Sequence, residues 1–199
     1  MDKIVSKTKY NRKEHKKFYM FHLFHRSGTI YFMFILLILL GTMTVINMMD
    51  EEGNGTFSLV MFSLTLGIIP YMIISKINQV VRDETPERIK STDTIEITKH
   101  KITRSNDVIN GKAVIGWNNL DCVCENEKFI YLYTSDNTGL FIKKEDIIEG
   151  DVESFRKIAL AYLPRDKRGN VKYKRYGKIK KEYKLIKKEE KRKKKLGIR

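Results

Sequence analysis

Two short pairs of residues in this chain have types and a spacing that could support chemistry. Cys122 and Cys124 stand two apart in the stretch LDCVC, and two thiolates at that spacing could supply half of a structural zinc site. His22 and His25 stand three apart before a long apolar run and could share a metal. A structural zinc takes four ligands, and neither pair is accompanied by the remaining ligands at a matching spacing. We therefore expect no metal site and no cofactor.

Packing is the alternative role for the cysteines and for the aromatic residues near them. Cys is among the most commonly buried residue types, so Cys122 and Cys124 suit the interior of a strand. A disulfide between them is disfavoured, because the side chains at i and i+2 of a strand leave one face side by side. The single tryptophan, Trp117, and the nearby Tyr131 and Tyr133 are likewise expected to pack in a core.

Two carboxylates, Glu125 and Glu127, could be interpreted as an acid–base pair at the end of the same strand. Such chemistry needs a partner within hydrogen-bond reach, and no histidine or nucleophile stands near them in the sequence. We therefore expect both side chains on the solvated surface. The chain also contains no phosphate-binding loop, dinucleotide fingerprint or nucleophile elbow. These observations favour a non-catalytic protein, and no residue is predicted to be catalytic or cofactor-binding.

Two long runs without a charged residue dominate the first half of the chain. Ile30–Met49 has twenty residues and Phe57–Ser75 has nineteen. At about 1.5 Å per residue, a helix over each run has roughly the length of the ~30 Å bilayer core. Two buried core helices are one alternative, which charge-free runs of this length disfavour. A secretory signal in the first run is another, which the long basic leader and the closely following second run disfavour. We predict two adjacent, antiparallel transmembrane helices.

The charges around these two runs predict their orientation. Residues 1–28 carry eight Lys or Arg residues against two acidic residues, and Lys76 and Arg82 follow the second run. The connection Asp50–Thr56 is acidic and contains neither Lys nor Arg. The positive-inside rule then places both termini in the cytoplasm and the connection outside. The expected location is the cell membrane, crossed more than once.

A hydrophobic period of two begins after residue 92 and predicts five or six short antiparallel strands. The strand patterns lie at 94–98, 101–105, 112–117, 120–124, 129–134 and 140–144. One helix follows, with Asp151 as its N-cap and Pro164 as its stop. A curved sheet closed by one C-terminal helix is the pleckstrin-homology-like (PH-like) plan. The expected fold is an α+β membrane protein: a two-helix transmembrane hairpin, a small PH-like antiparallel β-barrel with one C-terminal helix, and a basic tail.

The stretch IGWNNLDCVCENEKFIYLYTSDNTGLFIKKEDI, followed by VESFRKIALAYL, resembles the C-terminal domain of the YcxB-like bacterial membrane proteins. The resemblance rests on Trp117, Leu120, Val123, Glu125, Tyr131, Leu132, Tyr133, Ser135, Ile142, Lys144, Phe155 and Arg156. One departure is Lys143, where that family usually has proline. The resemblance covers about residues 20–163 and implies a membrane-anchored PH-like domain. It offers no catalytic residue.

The end of the chain is strongly basic. Residues 165–199 carry eighteen Lys or Arg residues and four acidic residues, a net charge of +14, within a chain of net charge +15. A solvated charge run is one interpretation. Near an anionic membrane leaflet each basic residue contributes about 1 kcal/mol, and phosphates of RNA or of the ribosome are the alternative partners. The predicted anionic-lipid site comprises Lys178, Lys180, Lys181, Lys184, Lys187, Lys188, Lys191, Arg192, Lys193, Lys194 and Lys195.

These patterns divide the chain into five segments. They are a basic cytoplasmic segment at 1–28, two transmembrane helices within 29–76, a linker at 77–92, a PH-like domain at 93–164 and a lysine-rich tail at 165–199. The favoured function is an interaction platform for protein or lipid at the cytoplasmic face. An accessory subunit of a membrane assembly for export or self-protection, and a membrane tether for RNA or the ribosome, are the alternatives. The lipid bilayer and its anionic headgroups are the expected partners, with a protein partner also possible.

Overall fold

The computed structural model describes residues 3–50, 54–108, 111–135 and 138–195, and of residues 189–191 and 193–195 it describes the backbone only. Residues 51–53 of the predicted acidic connection lie outside the described residues. The chain forms two compact units. The sheet unit contains Met1–Tyr10 and Lys90–Arg199, and the helical unit contains Asn11–Ile89. The helical unit is therefore inserted into the sheet unit after its first ten residues.

Three long helices form the helical unit, and a short one follows them. They are α1 (Arg12–His25), α2 (Thr29–Met49), α3 (Gly55–Arg82) and α4 (Pro86–Lys90). Asn11 caps α1 by accepting a hydrogen bond from the backbone N–H of Lys13 at 2.9 Å. Pro86 begins α4, where its fixed φ suits the first helical position and its missing N–H costs nothing.

The helices α2 and α3 agree with the two apolar runs and pair in the antiparallel sense. Polar groups join them: the Thr44 hydroxyl lies 3.3 Å from the Ser58 carbonyl oxygen, and the Asn47 amide donates to the Ser58 hydroxyl at 2.7 Å. Gly41 permits close approach, since a Cβ there would touch the Phe62 ring at 3.4 Å. Both helices are long and apolar enough to cross a membrane. The second one continues seven residues beyond the predicted end, so part of the expected linker at 77–92 is helical.

The sheet unit contains two sheets. The first has the order β4-β3-β2-β1-β8, and the second has the order β7-β6-β5-β9, with β9 parallel to β5. Their strands are β1 (Lys3–Lys9), β2 (Thr92–Thr98), β3 (Lys101–Asn106), β4 (Lys112–Gly116), β5 (Leu120–Glu125), β6 (Phe129–Thr134), β7 (Gly139–Lys143), β8 (Ile147–Glu149) and β9 (Tyr173–Arg175). The expected single closed barrel is thus replaced by two open sheets. The six predicted strands are present within one or two residues of the expected bounds.

One apolar core joins both sheets and the helix α5 (Val152–Tyr162). Its fully buried members include Ile4 and Ile97 from the first sheet, Leu132 from the second and Phe155 from α5. The predicted cap of α5 is confirmed, since Asp151 accepts a hydrogen bond from the Ser154 N–H at 2.6 Å, and the helix ends before Pro164. Trp117 is buried, as expected, and its indole N–H donates to the Thr98 carbonyl at 3.0 Å.

The strand β1 was not predicted. Residues 1–28 were treated as one basic segment, but Lys3–Lys9 forms a strand inside the first sheet, between β2 and β8. It pairs with β2 along its whole length, from Lys3 opposite Thr98 to Lys9 opposite Thr92. Three lysines in seven residues masked the strand pattern, and the partner strand lies more than eighty residues later in the chain.

The predicted tail is also replaced by ordered structure in its first part. An isolated bridge joins Arg165 to Val171, after which β9 pairs with β5 and α6 (Gly177–Lys195) begins. The chain from 165 to 176 therefore belongs to the sheet unit, and the basic residues that follow are helical.

If β1 is part of the core, Ile4→Ala should destabilise the sheet unit by about 2–5 kcal/mol, the usual cost of deleting a buried large aliphatic side chain. Ile4 is 1 % exposed. Emission of the single tryptophan, Trp117, reports unfolding of this unit in the purified full chain.

Lys7→Ala is the matched control, because Lys7 lies on the same strand with an exposed side chain. It should change the free energy of unfolding by no more than about 0.5 kcal/mol. Equal effects of the two substitutions would contradict the placement of β1 in the core.

Candidate functional site

A buried carboxylate ends the strand β5. Glu125 has no exposed surface, and four side chains surround its two oxygens. Lys144 Nζ lies 2.6 Å from Oε1, and the Tyr173 hydroxyl donates to Oε2 at 2.8 Å. Arg156 binds both oxygens, through Nη2 at 2.5 Å and Nε at 3.0 Å, and Arg175 Nε lies 3.8 Å from Oε2. We call these five residues the Glu125 cluster.

The members of the Glu125 cluster come from four separate elements. Lys144 opens the 3-10 turn after β7, Arg156 lies on α5, and Tyr173 and Arg175 lie on β9. An ionised carboxylate without partners is very costly to bury, and hydrogen bonds from cations offset that cost. The carboxylate therefore holds β5, β9, α5 and the turn after β7 together at one point.

The expectation that Glu125 lies on the solvated surface is wrong. Its side chain leaves the same strand face as Val123, which is part of the core. Its cationic partners follow 19, 31 and 50 residues later in the chain, so local sequence reveals none of them. One signal was available: Glu125, Lys144 and Arg156 all belong to the pattern on which the family resemblance rests. Glu127, by contrast, is exposed as expected.

Three members of the Glu125 cluster have shifted pKa values. Burial raises the pKa of the Glu125 carboxyl, but the hydrogen bonds from Arg156, Lys144 and Tyr173 together lower it by more than burial raises it. The pKa of Glu125 therefore lies below its ordinary value. Hydrogen bonding to this carboxylate raises the pKa of Arg156. Burial, followed by the Glu125 charge, raises the pKa of the Tyr173 hydroxyl. The hydrogen bonds and cations around Glu125 therefore favour its ionised form.

The same strand end fixes the start of α6. The backbone N–H of Tyr176 donates to the Glu125 carbonyl at 2.8 Å, and that of Lys178 donates to the Glu127 carboxylate at 2.5 Å. Between them Gly177 has φ +63°, and a Cβ at that position would clash with the Glu127 carboxylate. Glycine suits this turn because its φ is left-handed, and the first turn of α6 is attached to β5.

A cation–π contact extends this attachment into the second turn of α6. The Arg175 guanidinium lies 4.9 Å from the centre of the Tyr173 ring and 4.0 Å from that of Tyr183. Arg175 thus connects the Glu125 cluster to the helix.

The residues of the predicted anionic-lipid site lie on α6. Ile179, Tyr183 and Ile186 follow one another at i, i+4 and i+7 on one face; Tyr183 is 44 % and Ile186 is 54 % exposed. Cationic side chains that are exposed to solvent surround this stripe: Lys178, Lys180, Lys181, Lys184, Lys187, Lys188 and Arg192. The side chains of Lys191, Lys193, Lys194 and Lys195 lie outside the described residues, although their backbone continues the helix.

The two cysteines lie on the opposite face of β5 from Glu125. Both are buried, as expected for packing, and their sulfur atoms are 3.9 Å apart without a disulfide. The hydrogen bond with Cys122 and burial raise the pKa of the Cys124 thiol, which keeps it protonated. His25 stacks on Phe21 with ring centres 4.4 Å apart. Within the described ranges, no group of three His, Cys, Asp or Glu side chains could hold a metal ion.

Comparison with known proteins gives one match. Residues 97–159 match the family of YcxB-like proteins, which supports the resemblance to that family. The matched range runs from β2 to α5 and includes Glu125, Lys144 and Arg156, whereas Tyr173 and Arg175 come after it. No curated protein and no solved structure matches the chain.

Glu125→Gln should destabilise the sheet unit by about 3–5 kcal/mol, because three buried or half-buried cations lose their counter-charge while the shape of the side chain is kept. Urea unfolding of the full chain, followed by Trp117 emission, measures the effect. The matched control is Glu145→Gln, whose side chain is 71 % exposed and pairs with Lys143. That change should cost at most about 1 kcal/mol.

The pH dependence of the same variant provides an internal check. A carboxyl whose folded pKa lies below its ordinary value of 4.5 stabilises the fold fully above pH 4.5 and loses that contribution as the pH falls through the folded pKa. The difference in the free energy of unfolding between wild type and Glu125→Gln should therefore be largest near neutral pH. It should become smaller as the pH falls below 4.5. A difference that is constant with pH would contradict the role of the ionised carboxylate.

Proposed function

We propose that this chain is a membrane-anchored, non-catalytic module at the cytoplasmic face of the cell membrane. In this proposal α2 and α3 span the bilayer, the sheet unit serves as an interaction platform, and α6 lies on the anionic inner leaflet. The observation that carries the proposal is the insertion of an exposed apolar helical hairpin between β1 and β2, two strands that pair with each other.

The surface of the hairpin supports membrane insertion. The most apolar windows of α2 and α3 have mean hydropathies of 2.4 and 2.1, and only 11 % and 0 % of their residues are buried. Core helices of soluble proteins are mostly buried, and large contiguous apolar surfaces on a protein mark contact with a membrane or a partner. Among the most exposed side chains are Phe32 at 67 %, Ile38 at 65 %, Ile46 at 65 % and Tyr71 at 72 %.

The pairing of β1 with β2 supports a hairpin topology. These strands flank the helical unit in sequence and are neighbours in one sheet. A membrane cannot separate two hydrogen-bonded strands, so the chain between them must cross an even number of times. With two spans, both ends of the chain lie on one side, and the flanking Lys16, Lys17, Arg26, Lys76 and Arg82 favour the cytoplasm.

The basic surface of α6 supports attachment to anionic lipid. Cations near such a leaflet contribute about 1 kcal/mol each, and exposed apolar residues between them can enter the headgroup region. Ile186 and Leu185 are 54 % and 61 % exposed on this helix. The Glu125 cluster fixes the first turn of α6 to the sheet unit, so contact of the helix with the leaflet would set the orientation of that unit as well.

We further propose that the sheet unit is a variant of the PH-like fold. Each sheet contains three consecutive antiparallel strands, β2 to β4 in one and β5 to β7 in the other. The two sheets share one core, and the helix α5 follows these strands and packs into that core. Two further strands extend these sheets: β1, which precedes the helical hairpin, joins the first sheet, and β9, from the basic segment, joins the second.

The topology predicts which positions an impermeant thiol reagent can reach. Asn54→Cys should react in intact cells, whereas Lys167→Cys should react only after the membrane is opened. Both native residues are exposed, Asn54 next to the start of α3 and Lys167 in the sheet unit.

Wild type is the control for background labelling, because Cys122 and Cys124 are 2 % and 1 % exposed and should remain unreactive in the folded chain. Reaction of Lys167→Cys in intact cells would overturn the proposed orientation.

The role of α6 predicts a lipid- and salt-dependent change of environment. The test attaches an environment-sensitive fluorophore at Leu185→Cys in the full chain reconstituted into vesicles. Its emission should move to shorter wavelength in anionic vesicles, relative to the same dye in water, and should not move in neutral vesicles. About 1 M salt should reverse the shift, since the screening length falls from ~10 Å at 0.1 M to ~3 Å.

The matched control replaces five exposed lysines of α6 by glutamine, at Lys180, Lys181, Lys184, Lys187 and Lys188. This neutralised variant should show no shift in either vesicle. A shift that persists in it would contradict an electrostatic attachment, and displacement of the wild-type helix from anionic vesicles by RNA would favour the nucleic-acid alternative.

A further inference from the structure

The helical unit contains a cavity of about 340 Å³ between α1, α2 and α3. Small-molecule sites occupy roughly 300–1,000 Å³, so its size fits a ligand rather than a packing defect. The walls are mainly apolar, with Leu23 from α1, Met33 from α2, and Met72 and Ile73 from α3. Unbranched methionine side chains adapt to flexible apolar ligands.

The cavity lies at one end of the apolar hairpin. Its α2 residues come from the first turns of that helix and its α3 residues from the later turns, so both sets belong to the end that is attached to α1 and α4. On the proposed function this end faces the cytoplasm, at the depth of the inner-leaflet headgroups and the first part of their acyl chains. The inference below rests on that function.

The polar groups of the cavity carry positive charge without an acidic counterpart. Lys76 and His22 line it, and no Asp or Glu does. Lys76 forms no ion pair with a carboxylate among the described residues, and its side chain is exposed. Burial, and then the charge of Arg26, lower the pKa of His22. Near neutral pH, Lys76 is therefore the charged group of this cavity.

We infer that the cavity binds one anionic phospholipid, with its phosphate at Lys76 and an acyl chain along Leu23, Met33, Met72 and Ile73. Basic pockets between transmembrane helices on the cytoplasmic side bind anionic headgroups, and an unpaired ammonium beside an apolar cavity has the matching chemistry for such a lipid. This site differs from the surface of α6. It lies in the other unit of the chain, it is a cavity between helices, and it depends on one lysine instead of many.

Native mass spectrometry of the purified full chain in neutral detergent tests the site, with phosphatidylglycerol as the anionic probe and phosphatidylcholine as the neutral one. Wild type should hold one phosphatidylglycerol in preference to phosphatidylcholine. Lys76→Gln should weaken this binding at least about tenfold, the loss expected for one hydrogen bond to a charged group. Met33→Phe, which fills the apolar part, should reduce it as well.

Lys16→Gln is the matched control, since it removes the same charge from an exposed position on α1 that does not line the cavity. It should bind lipid as wild type does, and Trp117 emission and helical circular dichroism should be unchanged in all three variants. Equal retention by wild type and Lys76→Gln would overturn the inference.

The neutralised α6 variant separates this inference from the proposed function. It should keep its single bound phosphatidylglycerol, because α6 contributes no residue to the cavity. Loss of the lipid from that variant, but not from Lys76→Gln, would overturn the cavity site and leave the α6 proposal standing. The detergent experiment is independent of the side from which the hairpin enters the membrane, which the thiol labelling tests.

Discussion

The ionised carboxylate of Glu125 is the constraint on which much of the sheet unit depends. Removing such a group from water costs several kcal/mol, and the attraction of well-placed cations must offset that cost. Lys144, Arg156 and Arg175 supply the cations, and Tyr173 supplies a further hydrogen bond. Because two of these four groups lie after residue 164, residues 93–164 supply only part of the partners of this buried charge. The following basic segment is part of the fold.

This dependence gives the C-terminal segment two roles. Its first part, through β9, completes the second sheet and the Glu125 cluster, and its second part, α6, presents exposed cations. Gly177 joins them with a left-handed turn next to the Glu127 carboxylate. The N-terminal segment has a similar division, since β1 belongs to the first sheet and α1 to the helical unit. From charge alone, the two basic ends of the chain would be interpreted as tails. In the structure, many of their basic residues lie on strands and helices.

Short-range sequence patterns predicted the strands β2 to β7 and the helices α2, α3 and α5. The strand β2 alternates apolar and polar residues and β6 is a short apolar run, both between recognisable turns. The helix α5 has a cap and a stop, and α2 and α3 are long and apolar. The strands β1 and β9 were missed because each is rich in cations and pairs only with a distant segment. Glu125 was misplaced for the same reason: its burial follows from partners far along the chain. The residues of the predicted anionic-lipid site lie on α6, but the attachment of that helix to β5 was not predicted.

The position of β1 also sets the order of events during synthesis. Its hydrogen-bonding partner β2 ends at Thr98, almost ninety residues after β1 itself ends. At typical translation rates of about 5–20 residues per second, synthesis of the chain between them takes roughly 4–18 s, and β1 has no β2 to pair with during that time. An unpaired strand is a site of aggregation, and lysines on a strand are a known protection. Lys3, Lys7 and Lys9, which hid the strand in the sequence, are residues of that protective type.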